Sequence, residues 1–307
     1  QLLGSGTVFL DSGFDTITGS VNHILRQGAN HTIEGFGSLG VGQISFINHG
    51  AIEANVNSGV LAIYPRSTFL NDGGTLRASN GAILQLNLGT YSVANGGSYL
   101  IGDDCLAELS SVTMNNLTLD IEDLDLDPLN NDATITVNST FNNVVNEADL
   151  TINNARVLSL VTGDFTNNAE IRLASTGSTT SLNFSDATDS EIQLLGTGTV
   201  FLDHAAENIT GTINHTLRHG PDHTVEGFGN LGSGQINLIN HGAIEANVNG
   251  ETFIVQPRFT FLNDGGTLRV SNGAILQLNL GTYSVANGGS YLIGDDCLAE
   301  LSSVTMN

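Results

Sequence analysis

The amino-acid sequence predicts an all-β fold, a parallel β-helix (β-solenoid) with coils of about 21–24 residues. Three observations predict it: a tandem repeat of 192 residues, a short phrase that recurs inside that repeat, and the lack of helical patterning. No window of the chain combines apolar residues at helical spacing with strong helix formers, and there are 37 glycines. A stack of coils built from strands accounts for all three observations.

The long repeat sets the domain organisation. The segment Ile47–Asn57 returns letter for letter 192 positions later, and Ser79–Asn115 returns unchanged as Ser271–Asn307. Aligned at this offset without gaps, 89 of the first 115 positions match the second copy. We therefore divide the chain into a first full repeat unit, 1–192, and a partial second unit, 193–307, in one continuous solenoid without a linker. At this coil length we expect about 14 coils.

A short phrase marks the corners of the coils. An apolar pair, an asparagine and a small residue precede alternating apolar and polar residues, which is the pattern of a half-buried strand. The phrase recurs about every 21–23 residues, for example between Asn48 and Asn71. Asparagine and glycine tolerate left-handed backbone geometry, so we assign them to corners. The predicted corner residues are Asn48, Gly50, Asn71, Gly73 and Gly74, with the copies Asn240, Gly242, Asn263, Gly265 and Gly266.

Three stretches of the first copy carry a resemblance to a known class of protein. They are Asn30–Gly40, Ile47–Ala54 and Leu70–Leu76, and together they resemble the repeats of bacterial surface β-helix proteins, such as autotransporter passengers and filamentous-haemagglutinin-like adhesins. The resemblance implies a right-handed parallel β-helix, an extracellular or cell-surface location and a place in a very large protein. It is a pattern of turns and core positions, and it brings no catalytic residues with it.

Composition narrows the range of partners. The net charge is −23, and all eight basic residues are arginines. Because phosphate groups are bound by clustered cations, neither nucleic acid nor an anionic membrane surface is an expected partner. No stretch of about 18 apolar residues exists, so we expect no membrane insertion in this segment. We expect other copies of the chain as partners, joined covalently in tandem or associated end to end or laterally, and glycans as a further ligand class.

The two cysteines, Cys105 and Cys297, occupy the same position in the two copies. In a rigid solenoid, coils this far apart place the thiols roughly 40 Å from each other, whereas a disulfide needs α-carbon atoms within about 7 Å. We therefore predict no disulfide inside the chain. Three roles stay open: a thiol buried in the core, an intermolecular cross-link once per repeat, and metal binding.

An acidic stretch at 117–127, LTLDIEDLDLD, alternates apolar residues with carboxylates. One interpretation is a strand pair with leucines inward and carboxylates in water. The other is a calcium site, since Ca²⁺ is bound by clustered carboxylate oxygens. Its ligands would be Asp120, Glu122, Asp123, Asp125 and Asp127, with Asp132 nearby. We expect no cofactor, and calcium is the one alternative that the sequence suggests.

Histidines offer a weaker metal hypothesis. His215, His219 and His223 are spaced by four. On an extended strand they share one face at distances near 13 Å, which is too far for one metal ion. We expect these histidines to face solvent or to lie at corners.

An enzymatic role is the last alternative. Gly102-Asp103-Asp104 and Asn48-His49-Gly50 are similar to pieces of the motifs of polygalacturonase-type β-helix hydrolases, but their order is reversed and the chain has no lysine. A polysaccharide lyase needs a basic residue beside calcium, for which Arg66 and Arg77 are the candidates. We expect no enzyme. We expect a structural segment of an extracellular bacterial fibre, stalk or giant repetitive surface protein, with a carbohydrate-binding adhesin passenger as the alternative and a β-helix polysaccharide lyase or hydrolase as the third class.

Overall fold

The fold is that of a β-solenoid. The computed structural model describes residues 1–102, 104–121, 133–161, 163–185 and 191–307. In these ranges the chain is all-β without a helix, and its parallel strands stack in about 12 turns. The predicted fold class is therefore confirmed, whereas the expected number of coils was too high. The chain forms two compact units, unit 1 from Gln1 to Leu150 and unit 2 from Thr151 to Asn307, so each unit contains one copy of the repeated sequence.

Strands in unit 1 are short and closely spaced. They are β1 (Thr7–Ile17), β2 (His23–Gln27), β3 (Thr32–Leu39), β4 (Ile44–Asn48), β5 (Ala51–Ala54), β6 (Val60–Ile63), β7 (Thr68–Asp72), β8 (Thr75–Ala78), β9 (Ile83–Asn87), β10 (Thr90–Ala94), β11 (Ser98–Ile101), β12 (Leu106–Ser110), β13 (Thr113–Ile121), β14 (Ala133–Val137) and β15 (Ser139–Asn146), followed by β16 (Leu150–Asn153), which begins at the last residue of the unit.

Unit 2 contains the remaining strands. They are β17 (Val157–Leu160), β18 (Phe165–Asn167), β19 (Glu170–Ala174), β20 (Thr180–Phe184), β21 (Glu191–Leu195), β22 (Thr199–Gly211), β23 (Thr216–His219), β24 (Thr224–Leu231), β25 (Asn237–Asn240), β26 (Ala243–Ala246), β27 (Thr252–Val255), β28 (Thr260–Asp264), β29 (Thr267–Val270), β30 (Ile275–Asn279), β31 (Thr282–Ala286), β32 (Ser290–Ile293), β33 (Leu298–Ser302) and β34 (Thr305–Met306).

Each coil contributes one strand to each of three parallel ladders. In unit 1 the first ladder runs β2–β4–β7–β10–β13, the second β3–β5–β8–β11–β13 and the third β3–β6–β9–β12–β14. Long strands such as β3 bend from one ladder into another. Unit 2 repeats the scheme, with β21–β23–β25–β28–β31–β34 as its first ladder.

The register gives the length of each coil. Phe46 pairs with Phe69 and Phe69 with Tyr91, so these coils take 23 and 22 residues, as predicted. Outside the closely repeated stretches the coils are longer: Met114 pairs with Phe141, 27 residues on, and Phe165 with Leu194, 29 residues on. These longer coils explain why the chain has fewer turns than the sequence predicted.

Alternation of apolar and polar residues builds the core. In β3 every second residue is buried, namely Ile33, Gly35, Gly37 and Leu39, and the same pattern holds in β24. Within the first ladder of unit 1, the rings of Phe46, Phe69 and Tyr91 lie one above another with centroids 5.7 Å apart at each step. Apolar burial and ring contacts between coils therefore stabilise the stack along its axis.

Candidate functional site

The predicted corner asparagines form a buried polar stack. In unit 1, Asn48 and Asn71 stand near the ends of β4 and β7 and are 1% and 0% exposed. Asn48 Nδ2 donates to Asn71 Oδ1 at 2.8 Å, and Asn71 Nδ2 donates to the carbonyl of Ser98 at 2.6 Å. Gln27 lies one coil earlier and donates to the carbonyls of His31 and Ala51, both at 2.7 Å. We call Gln27, Asn48 and Asn71 the corner column of unit 1.

The physical reason for these asparagines differs from the one that the sequence suggested. The corner asparagines, unlike Asn80 and Asn95, do not adopt a positive φ. They are placed by side-chain hydrogen bonds: Asn48 Oδ1 also accepts from the N–H of Gly50 at 3.1 Å. A buried backbone group without a partner costs free energy, so an amide at the turn satisfies what the ladder leaves open.

Glycine is required at the corners for two separate reasons. Gly73 has φ of 71° and Gly265 of 77°, so both occupy the left-handed region. Gly50 is required by space, since a Cβ there would lie 2.2 Å from the carbonyl oxygen of His31. The same crowding holds at the next corner, where a Cβ on Gly74 would lie 2.6 Å from Asn48 Nδ2. In the second copy Gly242 and Gly266 are crowded in the same way.

The second copy builds its corner with histidine. His219 stands in place of Gln27, and its Nδ1 lies 2.7 Å from Asn240 Oδ1. Asn240 Nδ2 donates to Asn263 Oδ1 at 2.8 Å, and Asn263 Nδ2 to the carbonyl of Ser290 at 2.7 Å. His219 Nε2 lies 3.0 Å from His223 Nδ1, and His223 Nε2 lies 3.1 Å from Asn167 Nδ2. We call Asn167, His223, His219, Asn240 and Asn263 the corner column of unit 2.

One set of proton positions satisfies this whole column. Because Asn240 donates to Asn263, its Oδ1 accepts from His219 Nδ1–H. His219 Nε2 is then the acceptor for His223 Nδ1–H, and His223 Nε2 accepts from the Asn167 amide. Both imidazoles are therefore neutral, and each ring nitrogen has a partner. The five side chains form one directed chain of hydrogen bonds.

Burial keeps these imidazoles neutral. His219 is 4% exposed and His223 is 1% exposed. Desolvation lowers the pKa of His219 to about 4, while its hydrogen bond to Asn240 opposes the shift and the neighbouring His241 adds to it. Desolvation, with a contribution from His219, lowers the pKa of His223 to about 3. A proton added to His223 Nε2 would face the N–H₂ group of Asn167, so the geometry also disfavours the charged form.

The sequence-based placement of these histidines on one extended strand was wrong. β23 ends at His219 and β24 begins at Thr224, so a turn separates the two rings and brings their centroids to 5.2 Å. The signal was present in Gly220-Pro221-Asp222, a tripeptide typical of turns. The expectation that these histidines face solvent or lie at corners is met at the corner by His219 and His223, which are buried there and do not face solvent.

A buried carboxylate, which the sequence analysis missed, lies in the same unit. Glu207 is 0% exposed and accepts from the N–H groups of Ser175, Asp203 and His204 at 2.6–3.1 Å. Burial raises the pKa of Glu207 to about 7, and the three N–H donors oppose that rise. In the first copy Asp15 takes this position and accepts from the N–H groups of Asp11 and Ser12. The carboxylate therefore ties a bend of the coil together in both copies.

An open polar groove runs over three turns of unit 1. It has a volume of about 680 Å³ and is lined by Asn57, Ser58, Arg77, Ser79, Asn80, Gly81, Gly102 and Asp104. Arg77 Nη1 lies 3.5 Å from Glu53 Oε1, which also accepts from Ser79 Oγ. The guanidinium is thus partly neutralised, and the groove offers planar amide, guanidinium and hydroxyl groups for hydrogen bonds.

Only some of the residues compared with polysaccharide-cleaving enzymes lie in this groove: Arg77, Gly102 and Asp104 line it. His49 lies at the turn between β4 and β5, where its Nδ1 is 2.8 Å from the carbonyl of Asp72, and Asp104 lies between β11 and β12. Arg77 lines the groove, Arg66 does not, and Asp103 falls outside the described residues. Of the described residues in the hydrolase-like motifs, the groove therefore contains Gly102 and Asp104, and it does not contain Asn48, His49 or Gly50.

Most of the predicted calcium ligands lie outside the described residues. Glu122, Asp123, Asp125, Asp127 and Asp132 lie outside the described residues. Asp120 is exposed, while the neighbouring Leu117 and Leu119 are buried. Across the described ranges, no group of three or more histidine, cysteine, aspartate or glutamate residues is placed to hold a metal ion. A calcium site at this stretch stays a prediction.

Neither cysteine forms a disulfide with the other. Cys105 is buried, and that burial raises the pKa of its thiol. Cys297 is partly exposed, with its Sγ 3.4 Å from the carbonyl of Asp295. An intermolecular cross-link through these thiols stays a prediction.

Comparison with known proteins adds no assignment. No protein-family model, curated protein or solved structure matches this chain. Among the described residues, no helix has the length and apolar character needed to cross a membrane. The function proposed for this chain therefore rests on the geometry of the described residues.

Proposed function

We propose that this chain is a non-catalytic structural segment of an extracellular bacterial fibre, stalk or giant repetitive surface protein. One observation carries the proposal: around the aromatic pairs of the first ladder, the two copies bury the same kinds of side chain in the same register. Phe69 pairs with Tyr91 as Phe261 pairs with Tyr283, and each tyrosine hydroxyl donates to two backbone carbonyls in the core. The repeat thus reproduces packing and hydrogen bonding, which supplies length and stability coil by coil.

The polar contacts support this role because they point inward. The corner columns join successive coils through hydrogen bonds between buried amides and imidazoles. These bonds run along the axis, and no reactive group of these columns lies at the surface. In unit 2 every nitrogen of the two buried imidazoles has a partner, and buried polar groups paired in this way rigidify a fold and specify one arrangement. Such a design suits a protein whose task is mechanical.

Electron microscopy of the native material tests the structural role. Stacked strands are about 4.8 Å apart, so a repeat of eight or nine coils predicts thin fibres with an axial period of about 40 Å. Globular particles without such a period would contradict the proposal.

Glycan binding is a second candidate function, favoured by the groove that Arg77, Asn80 and Asp104 help to line. Neutral sugars present vicinal hydroxyls, which planar amides and guanidinium groups bind in pairs. The second copy has the same residues at the matching positions Arg269, Asn272 and Asp296. Binding of soluble oligosaccharides, measured by calorimetry on the wild type and on an R77A/R269A variant, tests this candidate: binding that the double substitution removes supports it, and a lack of binding to any neutral oligosaccharide contradicts it.

A further inference from the structure

One corner of the coil carries no carboxylate in the turns that both copies contain. It lies between the third and the first ladder, and its turns with their flanking residues are 18–23, 40–43, 64–67 and 87–90 in unit 1 and 210–215, 232–235, 256–259 and 279–282 in unit 2. All of these residues are described, and none of them is aspartate or glutamate. They include one arginine in each unit, Arg66 and Arg258. We call these turns the acid-free corner.

The turns of this corner stack directly on one another. In unit 1 the N–H of Gly42 donates to the carbonyl of Tyr64 at 2.9 Å, and the N–H of Thr90 donates to the carbonyl of Ser67 at 2.8 Å. The matching residues of unit 2 make the same two hydrogen bonds. Because each turn follows the strands of its own coil, the corner forms a ridge with one turn about every 4.8 Å.

Large apolar side chains project from this ridge, several of them from left-handed backbone. Val41 and Leu88 are 44% and 52% exposed, and their φ angles are 46° and 53°. In unit 2, Leu280 is 45% exposed with φ of 56°, and Ile213 and Phe259 are 52% and 56% exposed. A positive φ is uncommon outside glycine and asparagine, above all for a β-branched residue. Apolar exposure and backbone strain therefore meet in the same residues, which indicates a function for them at the surface.

These side chains are exposed although a coil lies on each side of them. The N–H of Leu88 donates to the carbonyl of Ser110 on the following coil, and the turn 64–67 lies on the preceding one. In unit 2 the turn of Phe259 likewise lies between the turns 232–235 and 279–282. The exposure is therefore lateral, and further coils of the same chain do not remove it.

The other two corners carry acidic residues in both copies. Asp72 and Asp222 lie between the first and second ladders, and Asp104 and Asp296 lie between the second and third. Outside the shared turns, the corner between the third and first ladders carries Asp164. In a chain with 31 acidic residues, the turns that the repeat reproduces at this corner are thus the ones without a carboxylate.

We propose that the acid-free corner is the surface on which a second copy of this chain docks side by side, ridge against ridge. The inference rests on the proposed structural role and names the contact through which such segments pair. A second copy presents turns with the same spacing of about 4.8 Å, so its apolar side chains meet those of the first copy coil by coil. Two chains that each carry a net charge of −23 also approach most easily where neither presents a carboxylate.

Charge sets the conditions for this pairing. Arg66 and Arg258 belong to the ridge and are attracted by an acidic partner, whereas the carboxylates elsewhere on the two chains repel each other. Salt screens that repulsion, with a Debye length of about 10 Å at 0.1 M. Burial of the apolar side chains does not depend on such screening. Association therefore strengthens as the salt concentration rises.

Exchange of the two ridge leucines for asparagine tests the proposal in the full 307-residue chain. Asparagine tolerates left-handed backbone better than leucine does, so L88N/L280N raises the melting temperature. The same double substitution removes apolar surface from both ridges, and it weakens self-association at least about tenfold in sedimentation equilibrium at about 0.5 M NaCl. A lower melting temperature with unchanged association would mean that these leucines serve the fold, and it would overturn the proposal.

V56N/V248N is the matched control. Val56 is 37% exposed and lies between the second and third ladders, and Val248 is its copy in unit 2. This variant also replaces two apolar side chains by asparagine, but away from the acid-free corner, and it associates like the wild type. Equal losses of association in the two double variants would overturn the assignment to this corner.

The remaining outcomes separate this inference from the structural role on which it rests. A wild-type chain that melts cooperatively, yet stays monomeric up to about 1 mM, would overturn the pairing and leave the structural role intact. Native material without the axial period of about 40 Å would count against the structural role, whatever its state of association. Association that weakens steadily as the salt concentration rises would indicate a contact between charged groups, and it would overturn the apolar ridge.

Discussion

The same corner is built in two ways in the two copies of the repeat. In the first copy, the Gln27 amide donates to two backbone carbonyls, and the neighbouring His31 has a buried Nδ1 without a hydrogen-bond partner among the described residues. In the second copy, His219 and His223 connect Asn240 to Asn167 without a gap. The position of Gln27 and His219 accepts an amide or an imidazole, and the imidazole of His219 adds a second buried titratable ring to the corner.

The largest expected effect concerns what the two corners share. A Cβ at Gly50 would lie 2.2 Å from the carbonyl oxygen of His31, and one at Gly242 would lie 2.3 Å from that of Gly220. Gly50→Ala and Gly242→Ala should therefore each lower the free energy of unfolding by about 3 kcal/mol, since backbone must move to admit the methyl group. Thermal melting measures the loss.

Gly13→Ala is the matched control for this pair. Gly13 has open space around its Cβ position and no positive φ, so this substitution should leave the melting temperature nearly unchanged. Unchanged melting of Gly50→Ala would contradict the corner assignment in unit 1, and a loss at only one of the two corners would show that they are not equivalent.

The next prediction concerns how the stability of the second-copy corner depends on pH. The folded pKa values of His219 and His223, about 4 and about 3, lie below the ordinary value of 6.5. The unfolded chain therefore binds protons first, and stability that is complete above pH 6.5 falls as the pH drops toward these values. Each histidine contributes a loss of about 1.4 kcal/mol per pH unit within its window. Glu207 acts in the opposite direction, because its folded pKa of about 7 lies above the ordinary 4.5.

His219→Gln isolates the histidine contribution. It gives the second copy the residue of the first, and a glutamine there reaches the carbonyls of His223 and Ala243 as Gln27 reaches those of His31 and Ala51. Glu207 is present in both proteins, so its contribution cancels in the difference. The stability of the wild type relative to the variant should fall by about 1.4 kcal/mol per pH unit between pH 6.5 and 4. Parallel stability curves for the two proteins over that range would refute the neutral buried pair.

How far the sequence predicts these corners depends on the residue. The recurring phrase located Asn48 and Asn71, because an asparagine before a glycine and an alternating strand is visible in the letters. Their hydrogen bonds were not predictable, since they join residues 23 positions apart whose stacking depends on register. Among the described asparagines, left-handed geometry belongs to others, such as Asn80 and Asn95, which no recurring phrase marked.

The same limit applies to the histidines and to Glu207. The contact between His219 and His223 depends on a turn, which the tripeptide Gly220-Pro221-Asp222 predicts. The four-residue spacing alone placed both histidines on one strand. In the sequence, Glu207 cannot be told apart from a surface carboxylate. The fold shows that three N–H groups donate to it. Local patterns give turns and strands, whereas burial of polar groups is decided by neighbours one coil away.

A smaller effect tests whether the two cores are equivalent. Tyr91 donates to the carbonyls of Ile63 and Asn87 at 2.9 and 3.1 Å, and Tyr283 to those of Val255 and Asn279 at 2.7 and 3.0 Å. Tyr91→Phe and Tyr283→Phe should each cost about 1 kcal/mol, the usual net value of a hydrogen bond. Equal shifts in urea unfolding support equivalent packing, and a loss confined to one copy would break the comparison.

The smallest effect concerns an ion pair at the surface of unit 2. Arg218 Nε lies 2.6 Å from Glu191 Oε1, and Arg26, the residue that matches Arg218 in the first copy, is exposed. Because water and salt screen a surface ion pair, Arg218→Ala should cost about 0.5 kcal/mol, and less at 0.5 M NaCl. Arg26→Ala serves as the control, with an expected change near zero. A loss above about 2 kcal/mol for Arg218→Ala, unaffected by salt, would instead mean that this arginine supports the buried column beneath it, through its 2.9 Å contact with His241 Nε2.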